Sequence, residues 1–247
     1  MINKIILMAG FITASFAFTT YEPTTNSTPT NISEVKPIVE AEPTAEEKIN
    51  LLYEEFAAVN ANMPSQVSFK YAITGYNRLE AEQKIENNLL TIVDFSLPST
   101  EKRMWILDMD KNEVIYHTFV SHGKNTGGNM ATNFSNTPNS LQSSLGFYVT
   151  AETYYGRNGL SLFIDGMEKE FNSKARERYV VIHGADYAKE ESIKRLGRLG
   201  RSYGCPAVPT EVSKEIINTI KGGSALFIYH NSDKYIANST YLNSQTV

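Results

Sequence analysis

The sequence predicts a mainly β domain with a few helices, an α+β fold preceded by two helices, and three observations predict it. Between about residues 45 and 87, apolar residues recur at helical spacing. Beyond about residue 88 the period shortens, and short runs of β-branched and aromatic residues alternate with Asp, Asn and Gly breaks. Helical spacing returns in only two later stretches, and no internal repeat is visible.

The chain begins with an address. Lys4 supplies a positive start, and 5–18 is an apolar run broken only by Gly10, Thr13 and Ser15. A membrane span needs about 20 residues, so this run is too short. Small residues at Ser15 and Ala17 suit cleavage, and residues 1–17 are expected to be a signal peptide. The expectation is an exported chain, in the periplasm or cell envelope, with no transmembrane segment once processed. No cysteine lies there, which argues against a lipoprotein signal.

Residues 18–44 are rich in Thr, Pro, Asn and Glu, with Pro23, Pro29, Pro37 and Pro43. Such a segment buries too little apolar surface to fold, and is expected to be a disordered linker. Order starts at Thr44, a candidate N-cap with Glu46 and Glu47 in the first turn and Ile49, Leu52, Tyr53 and Phe56 on one face. A second helix is expected over 68–85, on Phe69, Tyr71, Ala72, Tyr76 and Leu79, with Gly75 as its weak point. Residues 45–87 thus form a helical segment before the main domain, 88–235.

Strands are expected at 89–95, 103–107, 114–120, 145–150, 160–164, 179–183 and 225–230. Asp108, Asp110, Lys111 and Asn112 signal a turn, so 105–120 is a hairpin candidate. Helices are expected at 189–196 and after Thr210 as N-cap, through Val212, Ile216, Ile217 and Ile220. Residues 236–247 are expected to be a tail.

A formal net charge of −4 offers no basic patch for nucleic acid and no polybasic membrane anchor. A single cysteine, Cys205, excludes an internal disulfide, so its thiol is either inert or reactive. Its context decides. The apolar run Tyr179-Val180-Val181-Ile182 delivers His183 to a strand end, followed by Gly184; Gly200-Arg201-Ser202-Tyr203-Gly204-Cys205-Pro206 comes soon after. A thiol is weakly ionised at neutral pH, and an imidazole beside it makes it a strong nucleophile toward an amide carbonyl. Gly204 lets the N–H groups of Tyr203, Gly204 and Cys205 approach an oxyanion. Each signal alone is an ordinary structural feature; together they point to cysteine catalysis.

At these residues the chain resembles the YkuD-like L,D-transpeptidases, nearest their murein L,D-transpeptidase catalytic domain branch, which carry His-Gly on one strand and Ser-x-Gly-Cys soon after. The likeness covers about residues 90–230 and includes Asp94-Phe95-Ser96-Leu97-Pro98-Ser99, Ser121-His122-Gly123-Lys124, Phe134-Ser135-Asn136-Thr137-Pro138 and Ser143-Ser144-Leu145-Gly146-Phe147-Tyr148. The resemblance implies the YkuD-like β fold, with Cys205 as nucleophile, His183 as base and the Gly184 carbonyl orienting that base. It implies acyl transfer from a peptidoglycan tetrapeptide stem cleaved before its terminal D-Ala, through a thioester that carbapenems would also form. The alternatives are an L,D-carboxypeptidase, another cell-wall cysteine amidase or peptidase, or a non-catalytic cell-wall binding module.

Two positions depart from the commoner motif: Tyr203 where many relatives have His, and Ala207 where many have Arg. Arg201 is a candidate replacement for the lost cation, and Ser202 and His122 are further candidates for substrate contact. His117 and His230 receive no role. One cysteine and scattered histidines give no zinc spacing, and Gly127-Gly128 and Gly222-Gly223 do not form a phosphate cradle, so neither metal nor cofactor is expected.

Overall fold

A computed structural model describes residues 42–243. The expected signal peptide, nearly all of the expected linker and residues 244–247 lie outside the described residues. Helix α1 (Ala45–Val59) starts as its sequence predicts. Thr44 Oγ1 accepts from the Glu47 N–H at 3.2 Å, and the Glu47 carboxylate accepts from the Thr44 N–H at 2.7 Å. This reciprocal pair satisfies two donors that a helix start leaves open.

Helix α2 (Gln66–Ala81) begins two residues before the expected position, because Ser65 caps it by accepting from the Ser68 N–H at 3.1 Å. It also stops early. Gln83 turns left-handed at φ 53°, and the Lys84 and Gln83 N–H groups close back onto the Leu79 and Glu80 carbonyls at 2.9 and 2.8 Å. Neither Gly nor Pro marks that stop. The helices meet through Phe69, against which Tyr53 and Phe56 pack edge-on at 5.2 and 5.6 Å between centroids. Gly75 is a packing requirement rather than a weak point, since a Cβ there would lie 2.0 Å from Phe147 Cζ.

One sheet of eight strands follows: β1 (Leu89–Asp94), β2 (Met104–Asp108), β3 (Glu113–Thr118), β4 (Gly146–Gly156), β5 (Gly159–Gly166), β6 (Val181–Gly184), β7 (Ala207–Val208) and β8 (Ala225–Tyr229). Their order is β3-β2-β1-β8-β4-β5-β6-β7. The β1–β8 and β6–β7 pairs are parallel and the others antiparallel. Strands β2 and β8 are buried along their whole length, as strands covered on both faces must be. Phe147 and Phe227 stack at 4.2 Å across the β4–β8 pair.

Helix α2 packs on β1 and β8, and α4 (Thr210–Ile220) packs on β5 and β6 through Ile216, Ile217 and Ile220. Pro209, not Thr210, caps α4; the Thr210 hydroxyl instead donates to Asp186 at 3.0 Å. Helix α3 (Glu190–Leu196) ends on Gly197 at φ 68°. The tail expected from residue 236 is structured through residue 243: α5 (Asp233–Asn238) crosses that boundary and α6 (Thr240–Asn243) follows it, with Tyr235 and Tyr241 buried. The buried Glu168 carboxylate anchors α5, accepting from the Tyr235 hydroxyl at 2.8 Å, the Ser239 hydroxyl at 2.5 Å and the Phe147 N–H at 2.9 Å. The mainly β domain behind two leading helices is therefore the observed fold. Among the described residues no helix is long and apolar enough to cross a membrane.

Candidate active site

The parallel β6–β7 register pairs His183 with Ala207, so Cys205, two residues before Ala207, comes alongside Val181. The hydrogen bonds agree: the Val181 N–H donates to Cys205 Sγ at 3.5 Å, and the thiol donates to the Tyr179 carbonyl at 3.5 Å. That carbonyl is aimed by an unusual backbone. Tyr179 sits at φ 51°, a region that costs a residue with a Cβ about 1 kcal/mol or more. The N–H groups of Tyr179 and Val180 hold the turn by bonding the Arg176 and Ala175 carbonyls at 3.0 and 2.9 Å.

Gly204 occupies φ +132°, and a Cβ there would meet the Gln142 carbonyl at 2.9 Å, so only glycine fits before the cysteine. Its N–H does not serve an oxyanion as expected, because it donates to Ser202 Oγ at 3.1 Å. The Ser202 hydroxyl in turn donates to the Cys205 carbonyl at 2.6 Å. Ser202 is thus a staple across the cysteine turn, its hydroxyl proton already committed to the Cys205 carbonyl. Among the described residues, the N–H groups of Tyr203 and Cys205 make no hydrogen bond to another residue.

The turn is clamped from behind. Ser143 Oγ donates to the Gly204 carbonyl at 3.0 Å and accepts from the Gly123 N–H at 3.0 Å. The Ser202 N–H donates to the His122 carbonyl at 3.2 Å, and the Lys124 N–H to the Ser202 carbonyl at 2.8 Å. Residues 121–124 therefore act through their backbone.

His183 is 3% exposed, and its Nδ1 lies 2.9 Å from the Gly184 carbonyl. A carbonyl only accepts, so Nδ1 carries the proton and Nε2 of the neutral ring is the free base. The Gly184 carbonyl thus stands where the orienting role expected of it would need it. Burial lowers the His183 pKa, and burial raises that of Cys205 against the opposing pull of the Val181 N–H and Arg178. Both groups therefore rest uncharged, and among the described residues no hydrogen bond joins them. A neutral thiol and a neutral imidazole can exchange a proton during an attack by sulfur without starting as an ion pair.

Cys205 and His183 line one cleft of about 550 Å³, with Tyr154, Arg157, Asn158, Arg178, Tyr179, Val180, Val181, Tyr187, Arg201, Ser202 and Tyr203. Arg201 lies on its wall, with Nε and Nη1 engaged by the backbone and Nη2 left without a partner among the described residues. Its Nε donates to the Gly127 carbonyl at 3.1 Å, and Nη1 to the Leu199 and Gly200 carbonyls at 2.6 and 2.8 Å. His122 is absent from the cleft. It is fully buried, accepts from Arg103 Nη2 through Nδ1 at 2.8 Å, and packs edge-on against Phe95. Burial, with the charges of Arg103 and Arg201, lowers its pKa to about 3. Its expected substrate contact is ruled out by that burial. Ala207, buried with Ala185 and Ala188, points no side chain into the cleft.

Arg178 is the site residue that the sequence pattern did not disclose. Its guanidinium binds the Ser135 and Gln142 carbonyls at 2.7 and 2.5 Å and the Ser144 hydroxyl at 2.5 Å, and its charge favours the thiolate of Cys205. No motif announces it, because its partners are loop carbonyls some 35 to 45 residues away, at Ser135 and Gln142.

The chain matches the family model of the L,D-transpeptidase catalytic domain over residues 60–229. Among solved structures it is similar to an L,D-transpeptidase from Mycobacterium smegmatis, at 11% identity and a TM-score of 0.37, covering 58% of this chain and 59% of that one. An L,D-transpeptidase solved in complex with imipenem gives 12% identity and a TM-score of 0.36 over 58% of this chain and 59% of that one. A point mutant of the Enterococcus faecium L,D-transpeptidase gives 19% identity and a TM-score of 0.35 over 59% of this chain and 50% of that one. The chain thus spans less than two thirds of the length of each of these three. No curated protein matches it.

Proposed function

The chain belongs to the L,D-transpeptidase catalytic domain family, and from that premise we propose that it is an exported, cysteine-dependent peptidoglycan L,D-transpeptidase. The observation that carries the mechanism is the shared cleft of Cys205 and His183, with Nδ1 of the histidine held by Gly184. The N-terminal sequence supports delivery to the periplasm or cell envelope.

Cys205 Sγ attacks the carbonyl carbon between the third stem residue and the terminal D-Ala, and His183 Nε2 takes the thiol proton. The N–H groups of Tyr203 and Cys205 are the donors available for the resulting oxyanion. The C–N bond then breaks, the imidazolium gives its proton to the departing D-Ala amine, and a thioester remains. An amine from a neighbouring stem attacks that thioester, His183 takes the amine proton, and the proton returns to the leaving thiolate. A carbapenem presents a strained acyl donor and is expected to leave a stable thioester on the same sulfur.

The test is to incubate the protein with a purified tetrapeptide stem and an acceptor amine, then read free D-Ala, cross-linked product and protein mass. The expected result is a mass gain at Cys205 and D-Ala release, both abolished in Cys205→Ala. Full turnover by that variant would overturn the mechanism, and release of D-Ala with no cross-link would assign water as the acceptor.

A further inference from the structure

The outer part of the β4–β5 hairpin stands apart from the sheet. β4 pairs with β8 only over Gly146 to Val149, and β5 pairs with β6 only over Ser161 to Phe163. From Tyr155 to Leu160 the two strands pair with each other alone, beyond a register shift between Thr150 and Thr153. The base of this arm is pinned: Arg176 forks onto Glu152 at 2.6 and 3.1 Å and onto Asp165 at 2.6 and 2.8 Å, above the Phe163 ring. Its tip is the two-residue turn Arg157-Asn158, between Gly156 and Gly159, and both turn residues line the catalytic cleft.

The charge of that cleft is one-sided. Arg157, Arg178 and Arg201 line it, and among the described residues no Asp or Glu does, in a chain whose formal net charge is −4. Arg178 and Arg201 are held by carbonyls and hydroxyls, which fix a guanidinium without cancelling its charge. A concave site of one sign draws the opposite charge from solution. Of the three, only Arg157 is exposed and free of any ion pair or hydrogen bond among the described residues. Its planar fork is therefore open to a bidentate carboxylate.

We infer that Arg157, at the tip of the β4–β5 arm, is a specificity-determining residue that captures a carboxylate of the substrate at the mouth of the cleft. The inference rests on the proposed function for the identity of the substrate, a stem peptide with free carboxyl groups. Arg178 and Arg201 contribute fixed positive field, and Arg157 supplies the mobile contact. This assignment moves the substrate-reading cation from position 201 to the arm.

The experiment compares two lysine-containing tetrapeptide stems, one with all carboxyl groups free and one with every carboxyl amidated. Turnover is measured with native protein, Arg157→Gln and Arg157→Lys, and binding is measured by calorimetry in the Cys205→Ala background. Native protein is expected to favour the free acid about tenfold in kcat/KM, as a charge-assisted pair allows. Arg157→Gln is expected to bring that ratio toward one by raising KM for the acid, and Arg157→Lys to restore part of it. Equal rates on both peptides, or a preference that survives Arg157→Gln, would overturn the inference. If neither peptide is turned over, the proposed function fails, and the calorimetric preference decides the role of Arg157: tighter binding of the acid that Arg157→Gln abolishes supports it, and equal binding overturns it.

Discussion

Cys205 and His183 both rest uncharged because burial disfavours the charged form of each. The consequence for activity has a definite sign. On the proposed mechanism, protonating His183 removes the base, so kcat/KM falls as pH falls through the His183 pKa, which burial holds below the ordinary histidine value of about 6.5. A pH–rate profile is therefore expected to have its acid limb centred below pH 6.5. An acid limb centred at or above pH 7 would contradict this. That Cys205 and His183 come together in one cleft, with Gly184 beside the histidine, was legible in the sequence, because each sits in a short contiguous motif. The duties of Ser202 and Gly204 were not, since both spend their polar atoms inside the turn. The burial of His122 was equally hidden, because it depends on Arg103, 19 residues earlier in the chain.

The elements followed from the period of their apolar residues wherever they were long enough to show one. Helix α1 and the β2–β3 hairpin lie close to their expected positions. The two-residue strand β7 and helices α5 and α6 are shorter than any reliable period, and they are held by partners distant in sequence, such as Glu168. The β4–β5 arm was read only as two separate strands, because Glu152 and the register shift near it break the alternation. Gly75 shows how packing overrides propensity. Replacing a mid-helix glycine by alanine gains about 1 kcal/mol of helix propensity, but forcing a methyl into a filled core costs about 1–3 kcal/mol. With Phe147 Cζ 2.0 Å from the new Cβ and Phe147 itself stacked on Phe227, the clash is expected to win. Gly75→Ala should lower the urea midpoint; an unchanged or higher midpoint would show that Phe147 moves aside freely.

Across the whole molecule, all four histidines, His117, His122, His183 and His230, have pKa values lowered by burial. A histidine whose folded pKa is depressed takes up its proton first in the unfolded chain. Its contribution to stability is full above the unfolded value of about 6.5 and is lost as pH falls toward the folded value. His122, lowered to about 3, spans the widest window. His122→Gln, whose amide can still accept from Arg103 and donate to Gly127, should therefore lose less Tm between pH 7 and pH 4.5 than the native protein. Parallel losses in the two proteins would remove His122 from the account. The sheet order carries a kinetic consequence. β8, the last strand in sequence, lies at the centre of the sheet between β1 and β4, and its pairing joins Leu90 to Ala225. Contacts between such distant positions form slowly, because a long loop must close before they are rewarded. In a chain made N-terminus first, β1–β3 and β4–β7 lack the strand that joins them until residue 229 is available. The sheet therefore closes only once the segment up to residue 229 is available, while β6 and β7, which carry His183 and the Cys205 turn, do not pair with β8.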